Sequence, residues 1–125
     1  MQNKTKVILA LGSNDSQENS IVKAKKRLEA LFDDIRFSPA IWTKPVGIVS
    51  ADFLNCMAVA TTQTDYSQIR ASLKEIERDC GDSRYLRNQH IVKMDIDVLL
   101  FGKQRMHEKD WERPYIKQLM SILSK

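Results

Sequence analysis

Cysteine, long apolar runs and excess charge are all scarce in this chain of 125 residues. Its two cysteines, Cys56 in a strand-like run and Cys80 at a helix end, are too few for a disulfide framework. Both read as reduced thiols of a cytosolic protein. No Cys/His cluster points to zinc. No apolar run approaches the ~18 residues of a membrane span, which excludes that class of function. The N-terminal stretch MQNKTKVILALGSN has a five-residue apolar run before Gly12 and no small-residue cleavage site. The expectation is therefore a cytoplasmic protein without a secretory signal. A net charge of +4 suits an anionic small molecule such as a nucleotide as well as it suits a nucleic acid.

What is present is ordinary for a folded domain: 42% hydrophobic and 29% charged residues. The length fits a single domain over residues 1–125, with no internal repeat, low-complexity stretch or linker. KVILALGSN reads as a strand closed by a turn signal. SQENSIVKAKKRLEALFDDI has Ile21, Ala24, Leu28, Leu31 and Phe32 at helical spacing, with Ser16 or Asn19 as its cap. IRFSPAIWTKPVG is an edge strand interrupted by Pro39. DFLNCMAVATTQT is a strand with Phe53, Asn55, Met57 and Val59 on one face. A second helix starts at the N-cap Asp65, carries Ile69, Leu73 and Ile76, and stops at Gly81. A basic loop leads to VKMDIDVLLFGK, and a short terminal helix begins near Pro114. This is an α+β chain in β-α-β-β-α-β order, the ferredoxin-like arrangement, with two helices on one face of an antiparallel sheet and the other face open for a site.

The strand VKMDIDVLLFGK poses the chemical question. Met94, Ile96, Val98 and Leu100 read as one face; Asp95, Asp97, Leu99 and Phe101 read as the other. Two carboxylates at i and i+2 stand about 6–7 Å apart and repel by roughly 2–3 kcal/mol at an effective dielectric near 20. A hard divalent cation between them turns that repulsion into attraction. The structural alternative is an edge strand whose acids face water or pair with Lys and Arg.

ALGSN, WTKPVG, DFLN, IER…G and DIDVLLFG, in this order between Val7 and Gly102, resemble hydroxymethyldihydropterin pyrophosphokinase of folate biosynthesis. The resemblance implies that the hydroxymethyl oxygen of 6-hydroxymethyl-7,8-dihydropterin attacks the β-phosphorus of ATP and releases AMP. It implies two magnesium ions held by Asp95 and Asp97, with Arg84 completing the catalytic set. Thr43, Val46, Gly47, Phe53 and Asn55 fall on the pterin positions. Glu77, Arg84, Lys93, Ile96 and Tyr115 fall on the ATP positions, and GDSRYLRNQHIVK on a mobile basic loop. Glu77 read alone is a helix charge paired with Lys74 or Arg78. The expected partners are ATP and the pterin, bound by a monomer.

The chain also departs from that pattern. Val92 and Asp82 stand where the family has arginines, Tyr115 follows Pro114 where it has histidine, and Ser121 and Leu123 replace an arginine and a phenylalanine. The sequence ends short of the usual family length. Fewer cations imply weakened catalysis. A non-enzymatic nucleotide- or pterin-binding relative is the rival reading. A basic nucleic-acid binder ranks below both, because it needs aromatics on its central strands.

Overall fold

The computed structural model describes residues 4–124. Its sheet runs β2 (Asp34–Phe37), β4 (Phe53–Thr62), β1 (Thr5–Ser13), β5 (Asp95–Phe101) and β6 (Gln104–Arg105), with a further strand, β3 (Ile41–Thr43), also on β4 and every pairing antiparallel. β1 is central, between β4 and β5. The expected second strand is two short ones, β2 and β3, broken around Pro39 because proline cannot donate to a ladder. Ser38 spans the break: its N–H donates to Met57 O and its Oγ accepts from Met57 N, both at 2.8 Å.

Alternation along β1 builds two different layers. Val7, Leu9 and Leu11 face α1 (Gln17–Leu31) and α2 (Tyr66–Asp79), whose stripes Ile21, Ala24, Leu28 and Ile69, Leu73, Ile76 are buried against them. Asp65 caps α2 as expected, accepting from Gln68 N at 2.9 Å. Ser16 occupies the cap position of α1 but takes a left-handed φ of 50° and makes no side-chain cap bond. Asn19 lies inside that helix.

The second face is only partly open. α4 (Pro114–Leu123), with Pro114 in its first turn, lays Ile116, Leu119 and Leu123 on Ile8, Met57 and Leu99. Burying three such side chains contributes roughly 5–9 kcal/mol before the entropy of ordering them. Leu123 is therefore a core residue, which accounts for an aliphatic chain at that position.

Two expectations about β5 are corrected. Its register against β1 slips at Leu99, which is left unpaired between Val98↔Leu9 and Leu100↔Ile8. Such a bulge inserts one residue and exchanges the faces beyond it. Leu100 accordingly packs with the α4 layer, and Phe101 turns to the helix layer, meeting Tyr66 edge-to-face at 5.4 Å. The basic loop is also ordered more than expected: it contains α3 (Arg84–Arg87), capped by Ser83. A hairpin to β6 (Gln104–Arg105) and a 3-10 turn (Asp110–Glu112) precede α4.

Candidate active site

The site face of β1 runs Ile8, Ala10, Gly12; beyond Ile8, which α4 covers, the loss of side-chain volume leaves a cavity of about 560 Å³. The register puts Asn55 and Asp95 either side of Gly12, and Met57 and Asp97 either side of Ala10. Gly12 is dictated by this crowding: a Cβ there would stand 3.0 Å from Asn55 Oδ1 and 3.7 Å from the Phe53 ring. The face shared by Phe53 and Asn55 on β4, and by Asp95 and Asp97 on β5, is the one that alternation assigned.

One end of the cavity is neutral. Asn55 is buried, and its Nδ2 donates to Thr43 Oγ1 at 2.7 Å. That bond fixes the amide's orientation and frees Oδ1 to accept from a ligand. Phe53, Trp42 and Val46 add apolar surface, Trp42 and Val46 being largely exposed at the rim. Such a slot, flat and apolar with an oriented amide, suits a planar heterocycle with donors and acceptors along one edge.

The other end is acidic. Asp95, Asp97 and Asp110 line it, with Tyr115 and Arg113 alongside. Burial, then the Asp95 charge and a hydrogen bond to Asp95, with Asp110 and Glu77 behind, push the Asp97 carboxyl up to about 7. Burial likewise raises the Tyr115 phenol above its ordinary value. An arrangement that makes a carboxyl hold its proton near neutrality is short of positive charge, and hard oxygen donors of this kind fit magnesium.

Among the described residues, the arginine that reaches Asp95 is Arg87. It donates to Asp82 Oδ1 at 2.6 Å, to Asp95 Oδ1 at 3.3 Å and to Met94 O at 3.1 Å, and it lies 3.9 Å from Glu77. Arg84, the arginine expected there, sits one turn earlier on α3 and makes no such contact. Sequence spacing could not separate them, because a short helix within the loop decides which arginine turns inward. Asp82, which stands where an arginine was expected, instead anchors Arg87.

Several expected site residues do not line the cavity. Glu77 is buried in the helix layer, where its Oε2 accepts from Ile96 N at 2.7 Å and Lys74 approaches Oε1 at 3.4 Å. That Oε1 has no hydrogen-bond partner, and burial raises the Glu77 carboxyl despite the Ile96 bond. Ile96 is buried on the same side, its N–H already engaged. Lys93 pairs with Asp15 and lies along Gly81. Gly47 sits in the rim loop at φ 77°, outside the lining. Tyr115, Thr43, Val46, Phe53, Asn55, Asp95 and Asp97 do line it.

Asn14 is a residue sequence reasoning passed over. Its N–H donates to Val92 O at 2.9 Å, its Oδ1 accepts from Val92 N at 2.7 Å, and its Nδ2 donates to His90 O at 2.8 Å. The asparagine that ends ALGSN thus clasps the end of the basic loop beside the carboxylates. Its only sequence signal was a polar residue closing a strand, which any turn supplies.

Residues 8–124 match the family described as 7,8-dihydro-6-hydroxymethylpterin-pyrophosphokinase (HPPK). The chain is also similar to the folate synthesis bifunctional protein, mitochondrial, of Pisum sativum, with 30% identity over 129 aligned residues, 94% of this chain and 25% of that protein. It thus spans about a quarter of the length of this curated relative. A hydantoinase/carbamoylase family amidase from Burkholderia ambifaria overlays on 82% of this chain and 29% of its own with a TM-score of 0.45 and 8% identity, an overlap that bears on neither fold nor function.

Proposed function

From the premise that the chain belongs to the 7,8-dihydro-6-hydroxymethylpterin-pyrophosphokinase family, we propose that it transfers a diphosphoryl group from ATP to 6-hydroxymethyl-7,8-dihydropterin in folate biosynthesis, as a monomer. The single observation that carries this reading is one cavity with an oriented amide at one end and a cation-deficient carboxylate pair at the other. The distance between the ends is short: only the paired positions of Gly12 separate Asn55 from Asp95.

The pterin edge lies against Asn55, whose Oδ1 accepts from the ring while Thr43 holds the amide in place. Phe53 packs on the ring and Val46 covers it from the rim. The hydroxymethyl group then points along Gly12 toward Asp95 and Asp97. Its oxygen forms a bond to the β-phosphorus of ATP, the bond from that phosphorus to the α,β-bridging oxygen breaks, AMP leaves, and the hydroxyl proton is released. Asp95 and Asp97 would hold the two magnesium ions of the family, which when bound neutralise polyphosphate charge. Arg87, held by Asp82, is the side chain best placed to follow that charge, and Lys44 lies along the lining. Transfers of this kind depend on positioning and charge neutralisation more than on covalent help from the protein.

The second reading, binding without turnover, draws on a specific observation. Arg113, the arginine lining the acidic end, is committed to Asp110 at 2.9 Å, and Tyr115 cannot carry positive charge. The deciding experiment is direct: purified protein, magnesium, ATP and the pterin, with AMP followed over time. Magnesium-dependent AMP formation below the ~1–100 per second usual for kinases, lost in Asp95→Asn/Asp97→Asn, supports the proposal. Saturable binding of both ligands without AMP selects the binding protein.

A further inference from the structure

Beside the acidic end of the cavity lies a second donor set, of which the proposed diphosphoryl transfer uses only Asp97. Asp97 on β5, His107 in the turn after β6, and Asp110 at the start of the 3-10 turn bring one ligand atom each within 4.8 Å of one another. His107 Nε2 stands 3.9 Å from Asp97 Oδ1, too far for a hydrogen bond. It is a suitable spacing for two ligands of one ion, because metal–nitrogen and metal–oxygen bonds near 2.0–2.2 Å set donors about 3–4 Å apart.

The charge balance points the same way. Asp95 is answered by Arg87 and Asp110 by Arg113, through Asp110 Oδ1. Among the described residues, Asp97 meets no lysine or arginine; its only basic neighbour is His107. The three segments are also fixed against each other. Trp111 Nε1 donates to Leu99 O and Met106 O, Met106 N donates to Leu99 O, and Asp110 N donates to His107 O at 2.8 Å.

We propose that Asp97, His107 and Asp110 form a site for one borderline divalent cation of the zinc or cobalt class, filled without nucleotide or pterin. An imidazole nitrogen with two carboxylate oxygens prefers such an ion to magnesium, which favours oxygen donors and keeps much of its own water. Three protein ligands leave at least one coordination position for solvent or a phosphate oxygen. No Cys/His cluster is visible along the chain because this set comes from a strand and two turns. The site shares Asp97 with the proposed magnesium pair but requires neither Asp95 nor the proposed reaction.

The test uses the full chain, stripped of metal, titrated with Co²⁺ alone and followed by its visible absorption, and separately with Cu²⁺ followed by electron paramagnetic resonance. One equivalent should bind, with nitrogen hyperfine coupling from a single imidazole. His107→Asn is the informative variant, since asparagine tolerates the left-handed φ of 54° at this position. It should erase the coupling and weaken binding by about tenfold or more, as should Asp110→Asn in affinity. Asp95→Asn and His90→Ala should leave both signals in place. Absence of binding, coupling that survives His107→Asn, or equal loss in Asp95→Asn would each overturn the site. Magnesium–ATP binding in the same variants reads the functional proposal separately: it depends on Asp95 and survives His107→Asn.

Discussion

The two ends of the cavity are built on opposite principles. At the amide end, Asn55 and Thr43 satisfy each other at 2.7 Å, and Gly12 makes room for them. At the carboxylate end, Asp95, Asp97 and Asp110 crowd together with too few cations, and Asp97 keeps its proton to about 7. The first end is complete in the protein alone. The second is a preorganised deficit of charge, satisfied only when a cation arrives. The contrast shows where ligand selectivity lies: shape and hydrogen bonding at one end, charge at the other.

The strongest way to break the contrast is to remove the deficit. Asp95→Asn/Asp97→Asn should lower magnesium-dependent binding of an ATP analogue by about 100-fold or more, measured by calorimetry. Pterin binding and the far-ultraviolet circular dichroism should stay close to those of the parent. Unchanged nucleotide affinity would remove the metal assignment.

The reciprocal change acts at the neutral end. Asn55→Ala strips the oriented amide and leaves Thr43 Oγ1 without its partner, a loss of about 1–3 kcal/mol. Pterin affinity should fall by roughly tenfold to 100-fold, while ATP-analogue binding moves little. Indifference of pterin binding to this change would place the pterin elsewhere.

A third test reads the deficit as stability. The Asp97 carboxyl is raised from 3.8 to about 7 in the fold, so the folded state holds a proton that the unfolded chain has released. The stabilisation from that proton is present below about pH 4 and is lost as pH rises through about 7. Without metal, Asp97→Asn should therefore be more stable than the parent at pH 8 by about 1–2 kcal/mol, allowing for solvent screening, and gain little at pH 4. Denaturant melts at both pH values check it. A larger gain at pH 4 would reverse the sign and refute the reading.

The smallest effect sharpens the role of Arg87. Val92 gives its backbone N–H and carbonyl to Asn14, so Val92→Arg changes only the side chain and adds a cation at the end of the basic loop. It should raise AMP formation severalfold, on the order of fivefold, in steady-state assays. Adding Asp82→Arg should cancel that gain, because it replaces the anchor of Arg87 with a like charge. A further increase in the double variant would show that Arg87 needs no anchor.

How much of this was legible in the sequence follows from the range of the forces involved. Period-two alternation placed Phe53 with Asn55, and Asp95 with Asp97, each pair on one face of its own strand, since each strand reports its own faces; that the two faces coincide comes from the register. Alternation failed past Leu99, where the bulge makes Phe101 a helix-layer residue and Leu100 an α4-layer residue. Helical spacing gave α2 and its Asp65 cap. It could not show that Glu77 lies under Ile96, which depends on how α2 packs on β5, or that Arg87 and not Arg84 reaches Asp95, which depends on how α3 docks. His107 and Asp110 were invisible for the same reason: turns, not periodicity, bring them to Asp97.

The taper of β1 from Ile8 through Ala10 to Gly12 has a further consequence. The cavity is a place where packing was withheld, so its volume measures stability forgone. Filling it is a mutational route that selection for stability alone would take: Ala10→Val adds two methyl groups beside Met57 and Asp97, where neighbours already stand. Each such group, if buried without strain, adds roughly 0.8 kcal/mol. A chain evolved only to resist denaturation would drift toward a solid sheet face and lose its ligands. Retaining alanine and glycine here keeps the protein less stable than its own fold permits, the common relation between activity and robustness.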